Sequence, residues 1–497
     1  MPIPFISLFF TSLLYLSPLS LSQQPSPPRA TLIDCGATVA TIIEDRRWVP
    51  DDGFIFSGTP KNVSAPVLVP TLSTVRSFPL RNNLNRKFCY VVKVFRGAKY
   101  MVRSNYFYGG VNGDDTPPPV FDQIVDGTVW GVVNTTDDYL NGMSSYYEGV
   151  FLAVGKTMSF CLGANSYTQS DPFISALEFV MLGDSLYNST DFTKFGLGLV
   201  ARHSFGHNGT MIRYPDDQFD RFWEPAPWNA ATTTSNKNVS VGGIWNRPPR
   251  KIFETQMTTG KLDNLEFIWP QGSLPNANYS IALYFADDGS SSRGGSRVLN
   301  VSINGVTYYP NLSVTSEGSA VFTALWPLGG LTKFSLSPAP GSRLAPLINA
   351  GEVFNVMALG GRTHTRDVIA LERVKSSFQN PPVDWTGDPC VPRQYSWTGV
   401  TCSEGPRIRV VTLNLTSMGL SGSISPGIAR LTALTDIWLG DNNLSGSIPD
   451  LSSLRMLETL FLENNNLTGQ IPSSLISRLG PNLRTSPGNQ FLSPPLS

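Results

Sequence analysis

The sequence predicts a mainly β chain in which one module occurs twice in tandem and a short solenoid follows. Three observations carry that prediction. The phrase P-x-I-x-A-x-E occurs at Pro172–Glu178 and again at Pro346–Glu352, 174 residues apart. Apolar runs are short and broken by 44 Gly and 39 Pro, and aromatics reach 11%, which favours strands and turns over a helical bundle. After Val411 a new period appears, with Leu413-x-Leu415, Ile437-x-Leu439 and Leu460-x-Leu462 at steps of 24 and 23 residues.

The first element is a leader. Ile3 to Leu21 is apolar and uncharged and ends in Ser20-Leu21-Ser22, so residues 1–22 read as a secretory signal peptide, and 23–30 as a Pro-rich spacer. At 497 residues the chain has room for about three domains. Charged residues make up only 15% and the formal net charge is zero, which argues against a nucleic-acid or anionic-membrane surface. No later run approaches the ~20 apolar residues of a membrane span.

The duplication extends beyond the repeated phrase. Phe160 and Leu162 are matched by Phe334 and Leu336, and Val125-Asp126-Gly127 by Ile303-Asn304-Gly305. Trp48–Phe54 is matched by Arg213–Phe219. Four echoes in one order place module 1 at 31–182, a connector at 183–200 and module 2 at 201–361. Asp126-Gly127 and Asn304-Gly305 are hairpin-turn dipeptides between strand-like runs. Strands are expected at Phe88–Phe95 and Tyr100–Phe107 from their apolar and β-branched runs.

Residues 362–408 open with a helical pattern (Val368, Leu371, Val374, Phe378), for which Thr365 can serve as cap and which Pro381-Pro382 ends. Asp384–Cys390 and Ser396–Cys402 follow. Cys390 and Cys402 are close together and distant from the other cysteines, which pairs them; among Cys35, Cys89 and Cys161 one is left over, and the sequence does not say which. Residues 409–480 carry about three leucine-rich repeats, each a short strand, an Asn turn (Asn442, Asn465) and a return segment. Residues 481–497 form a Pro/Ser-rich tail.

In the oxidising compartment that a leader implies, sequons become expected glycosylation sites: Asn62, Asn134, Asn188, Asn208, Asn238, Asn278, Asn300, Asn311, Asn414, Asn443 and Asn466. The Asp pairs at 51–52, 137–138, 216–217 and 287–288 raise a glycosidase reading, but neighbouring strand residues point to opposite faces, and turn or capping roles are expected instead. His203 and His207 are four apart, yet Gly206 lies between them, so a loop is expected rather than a metal helix. With no G-x-S-x-G, phosphate loop or Cys-His nucleophile context, no catalytic residue, cofactor or metal is expected.

Ile33-Asp34-Cys35-Gly36, the paired modules, the W-x-G-D-P-C…W-x-G-V-x-C cap and the L-x-G-x-I-P repeats together resemble plant malectin-like, leucine-rich-repeat receptor proteins over nearly the whole mature chain. Without a kinase, the chain looks like the group of receptor-like protein 4. The resemblance implies two tandem malectin-like β-sandwich modules followed by a short leucine-rich-repeat α/β solenoid. It implies a non-enzymatic, secreted or plasma-membrane-associated receptor-like protein, whose full-length relatives continue into a membrane helix. Its partners would be a cell-wall glycan or secreted peptide at the malectin-like pair, and a protein, possible receptor kinases included, at the repeats. The rival reading is a soluble carbohydrate-binding protein; a glycoside-active enzyme ranks below both.

By the same resemblance, Tyr106-Phe107 and Tyr284-Phe285 correspond to sugar-stacking aromatics, and Tyr108, a third aromatic at the same strand end before Gly109-Gly110, is a candidate beside the first pair. On the repeats, Trp438 and Phe461 are the outward residues of L-x-L strands and are expected side by side at ~4.8 Å, with Asp436, Asp441 and Glu463 supplying an acidic rim. That surface would suit a partner bringing an apolar anchor and a cation.

Overall fold

The computed structural model describes residues 28–66, 69–80, 86–113, 116–227, 232–233, 239, 242–259, 261–287 and 295–494. The leader, most of the spacer, Asn238 and Asp288 lie outside them. Among the described residues no helix is long and apolar enough to cross a membrane.

Each module sandwiches an apolar core between two sheets. In the first, the four-stranded sheet runs Arg86–Lys93, Thr157–Ala164, Val120–Val125, Thr128–Asn134; in the second it runs Leu265–Ile268, Lys333–Pro338, Val298–Ile303, Val306–Ser313, in the same spatial order. The repeated phrase has one structure in both copies. Phe173–Ile174 and Leu347–Ile348 are short strands, one residue steps out, and Ala176–Leu182 or Ala350–Ala358 begins. The step residues are fully buried and serve the neighbouring strand: Ser175 Oγ accepts from Phe107 N at 3.0 Å, and Asn349 Oδ1 from Ala286 N at 2.7 Å. The hairpin echo also holds. Asp126 and Asn304 take positive φ (47° and 50°), and their side chains accept from Ser159 N and Lys333 N, both at 2.8 Å.

Two sequence expectations change here. Trp48 lies in strand Arg46–Pro50, parallel to Ala30–Asp34, and its place in module 2 is taken by Glu224–Ala226, parallel to Phe195–Phe205. Arg213–Phe219 is a turn, so that echo is not an equivalence. The expected connector 183–200 holds the first half of strand Phe195–Phe205. This strand pairs with Ser145–Leu152 of module 1 on one side and Ala350–Ala358 of module 2 on the other, so both modules share one 11-stranded sheet. The junction needs glycine: a Cβ on Gly149, opposite Gly198, would fall 2.8 Å from the Phe151 ring and 3.0 Å from Leu197 O.

Buried ion pairs cross this junction. Arg103 meets Glu148 at 2.9 Å and Glu178 at 3.0 Å; Arg202 meets Glu148 at 2.7 Å and Glu352 at 2.6 Å. The Glu of each repeated phrase therefore holds an arginine inside the sheet. Burial would raise the Asp220 pKa, but Arg103, Arg213 and Arg46 outweigh it and hold the carboxyl below its usual range.

The helix is Thr365–Ser377, with Ala370, Leu371 and Val374 buried; its cap is His364, whose ring accepts from Arg366 N, one residue before the expected Thr365. The cap and repeats share one core. Strands Val410–Asn414, Asp436–Trp438 and Thr459–Phe461 stack in parallel, and the return segments form a second parallel sheet. The expected tail instead adds a further turn of solenoid: Leu483–Arg484 extends the inner sheet and Phe491–Ser493 the outer one. Asn489 fills the Asn-turn position, donating to Leu462 O and Thr485 O and accepting from Leu467 N.

Candidate functional site

The malectin-side candidates are interior residues. Tyr106, Tyr284 and Phe285 are fully buried, Tyr108 is 2% and Phe107 6% exposed, so none offers a face to a sugar. Tyr106 sits among Phe121, Tyr147 and Phe173 in edge-on contacts. Tyr284 donates to Glu352 at 2.6 Å and meets Trp223 edge-on. Alternation along a strand exposes every second residue only where one face of the sheet meets water, and here both faces are covered. The two Tyr-Phe pairs are also out of register. Ala176 lies opposite Asn105 and Ala350 opposite Tyr284, so Tyr284 corresponds to Asn105.

The acidic pairs are structural where described. Asp51 is fully buried and bound by Arg76, Tyr90 and Gly36 N. Asp217 takes Arg221 at 2.9 Å and Trp223 Nε1 at 2.8 Å, and Asp287 takes Arg297 at 2.6 Å. Asp137 and Asp138 lie in the short helix Thr136–Leu140. His203 is in a strand rather than a loop and faces Glu224 at 3.3 Å. No group of three or more metal-ligating side chains occurs among the described residues. The sequon asparagines described are exposed, except Asn300, which is half-buried.

On the repeats, the strand register places Asn414, Trp438, Phe461 and Arg484 in one row across the inner sheet. Trp438 and Phe461 are half-buried and stacked, with centroids 6.3 Å apart and planes 19° apart. The cation expected from a partner is already present, for the Arg484 guanidinium lies 4.2 Å from the Phe461 ring centre. Asp436 is held by Thr435 at 2.7 Å, and Asp441 by Asn464 at 2.6 Å. Trp438 Nε1 and Glu463 Oε2 are sequestered from solvent without a hydrogen-bond partner among the described residues. Sequence reasoning missed Arg484, although the signal was there: Leu483 follows Leu460 by 23 residues and Asn489 follows Asn465 by 24.

The cap fixes this row relative to the modules. Trp385 and Trp397 stack at 5.1 Å, and each indole donates to a carbonyl beside the other, Thr398 O and Thr386 O, both at 2.9 Å. The disulfide Cys390–Cys402 closes the loop, and Cys89–Cys161 forms in module 1, leaving Cys35 buried and free. The cap then docks on module 1, although module 2 precedes it in the chain. Gly387 lies on the Cys89–Cys161 disulfide, so close that a Cβ would come 2.6 Å from Cys89 Sγ. Lys87 donates to the carbonyls of Asp388 and Val391, and Arg362 pairs with Asp126 at 2.7 Å. Burial pulls the Lys87 pKa down to about 8 against the opposing charges of Asp388 and Asp384. A cleft of about 500 Å³ runs beside this contact, lined by Phe151, Val154, Lys194, Leu359 and Arg362 among others.

The Malectin-like domain model matches residues 33–356, the Leucine rich repeat N-terminal domain 364–403 and the Leucine Rich Repeat 456–477. A putative leucine-rich repeat receptor-like serine/threonine-protein kinase of Arabidopsis thaliana is 33% identical over 407 residues, covering 78% of this chain and 44% of the relative. A second such kinase from the same plant is 31% identical over 442 residues, covering 84% and 49%. The chain thus spans less than half the length of these relatives. Among solved structures, the ANX2 ectodomain from Arabidopsis thaliana superposes with TM-score 0.55 at 14% identity, over 67% of this chain and 98% of that one. The plant peptide RALF23 complex with FER and LLG2 gives 0.55 at 17%, over 67% and 96%. With residues 33–356 matched by the malectin-like model and leucine-rich-repeat matches following, this chain belongs to the malectin-like domain family and carries leucine-rich repeats after that domain.

Proposed function

We propose that this chain is the non-catalytic, ligand-binding part of an extracellular receptor-like protein. Its malectin-like pair takes a secreted peptide, and the inner face of its repeats engages a protein partner. The carrying observation is the half-buried Trp438–Phe461 stack beside Arg484, on a solenoid whose cap is bonded to module 1. A rigid join of this kind lets one ligand span, or one surface orient, both parts. Peptide is favoured over wall sugar because the aromatics expected to stack on a sugar are core residues. A fold neighbour, FER, is named in complex with the peptide RALF23 and with LLG2, which supports the same preference.

The test immobilises the full chain and titrates synthetic RALF23 and, separately, cello-oligosaccharides. Saturable peptide binding with no oligosaccharide binding is expected; the reverse would overturn the peptide reading. For the repeats, Trp438→Ala with Phe461→Ala is expected to abolish co-purification with receptor-kinase ectodomains while leaving peptide binding intact. Unchanged co-purification removes the repeat face from the proposal.

A further inference from the structure

We propose that Asn188 carries an N-linked glycan whose first N-acetylglucosamine packs against the Trp245–Phe322 ring pair. Asn188-Ser189-Thr190 is an acceptor sequence, and Asn188 is exposed. Its Oδ1 accepts from Trp245 Nε1 at 2.9 Å, which orients the amide and leaves Nδ2, the nitrogen that carries a glycan, without a protein partner among the described residues. The indole lies flat on Phe322, with centroids 3.7 Å and planes 6° apart, and Tyr187 meets it edge-on. Phe322 is nevertheless 41% exposed. A stacked aromatic pair open to water beside an acceptor amide suits the apolar C–H face of a pyranose, with polar edges left for solvent.

A second observation points the same way. Thr190 is 9% exposed, and its buried hydroxyl has no hydrogen-bond partner among the described residues. Such a hydroxyl is destabilising, and valine would fill the same space without it. The acceptor requirement accounts for threonine here, because transfer occurs on the extended chain before this residue is enclosed. In that transfer Nδ2 of Asn188 bonds to C1 of the sugar and the C1–O bond to a lipid-diphosphate donor breaks. The lipid diphosphate leaves with the bonding pair, and the amide proton passes to a base of the transferase.

The experiment uses the full chain secreted from a glycosylating host, with glycopeptide mapping of wild type, Thr190→Val, Trp245→Ala and Phe322→Ala. Asn188 is expected to be occupied in wild type and empty in Thr190→Val. Peptide N-glycosidase acting on native protein should release the Asn188 glycan about tenfold faster from either ring variant than from wild type, as loss of one well-packed contact implies. Release at Asn466 should be equal in all. An unoccupied Asn188 in wild type overturns the proposal, as do equal Asn188 release rates. So does chitobiose binding by wild type at this ring pair with Asn188 empty, which would make the stack a site for free sugar. Phe322→Ala keeps the test decisive if Trp245→Ala fails to fold.

Discussion

The hydroxyl of Tyr395, in the cap, donates to Oδ2 of Asp122, in the first module, at 2.7 Å across 273 residues of chain. Asn165 donates to the same tyrosine at 2.8 Å, and the ring packs with Cys89, Cys161 and Ile124. The cap and module 1 thus share one small core. Tyr395→Phe keeps the ring and removes the donor to a carboxylate, which should cost about 1–3 kcal/mol. Limited proteolysis should then cut near residues 360–390 faster than in wild type. An unchanged cleavage rate would mean that the apolar contact alone holds the cap.

Glu148 is shared by Arg103 of module 1 and Arg202 of module 2. Glu148→Gln leaves two buried guanidinium groups short of a countercharge, and a loss of about 3–5 kcal/mol is expected. Because the sheet is continuous, both modules should still melt in one transition, followed by denaturant titration of a 28–361 fragment. Two separate transitions in the wild-type fragment would contradict the shared sheet.

Asp34 should set a stability difference with pH. Burial pushes its pKa up to about 6, with the Thr74 hydroxyl opposing and the Asp51 charge adding to the rise. The folded state therefore holds the proton more tightly than the unfolded one. The stability linked to that proton is fully present below the ordinary value of 3.8 and is lost as pH rises through about 6. Asp34→Asn, permanently neutral, should melt higher than wild type at pH 7 and equal to it near pH 3.5. A constant difference across that range would refute the assignment.

Asn489 makes two hydrogen bonds that tie the last turn of solenoid to the one before, with Leu462 O and Leu467 N, and a third to Thr485 O within its own turn. Asn489→Ala should cost about 1–3 kcal/mol, felt locally. Amide exchange should accelerate over residues 460–493 and stay unchanged in the modules. Uniform protection would show that the last turn does not depend on this side chain.

The sequence by itself determined what is local or periodic. Asp126-Gly127 and Asn304-Gly305 specify hairpins because their backbones adopt positive φ at low cost. The leucine period specifies the solenoid because each unit must cover its neighbour's apolar face, and the same period, followed one step further, reaches Leu483 and Asn489. The repeated P-x-I-x-A-x-E marked the duplication for a reason visible only in three dimensions, where Glu178 and Glu352 hold Arg103 and Arg202 inside the sheet. The tertiary structure alone decided whether an aromatic is a platform or core. Tyr106 and Tyr284 look like surface-facing strand-end rings until Phe121, Tyr147 and Phe173 close over the first and Trp223 over the second. It also decided which cysteine of three stays free, and that the cap meets module 1 rather than module 2. Those outcomes depend on contacts between residues hundreds of positions apart, such as Lys87 with Val391, which no window of sequence contains.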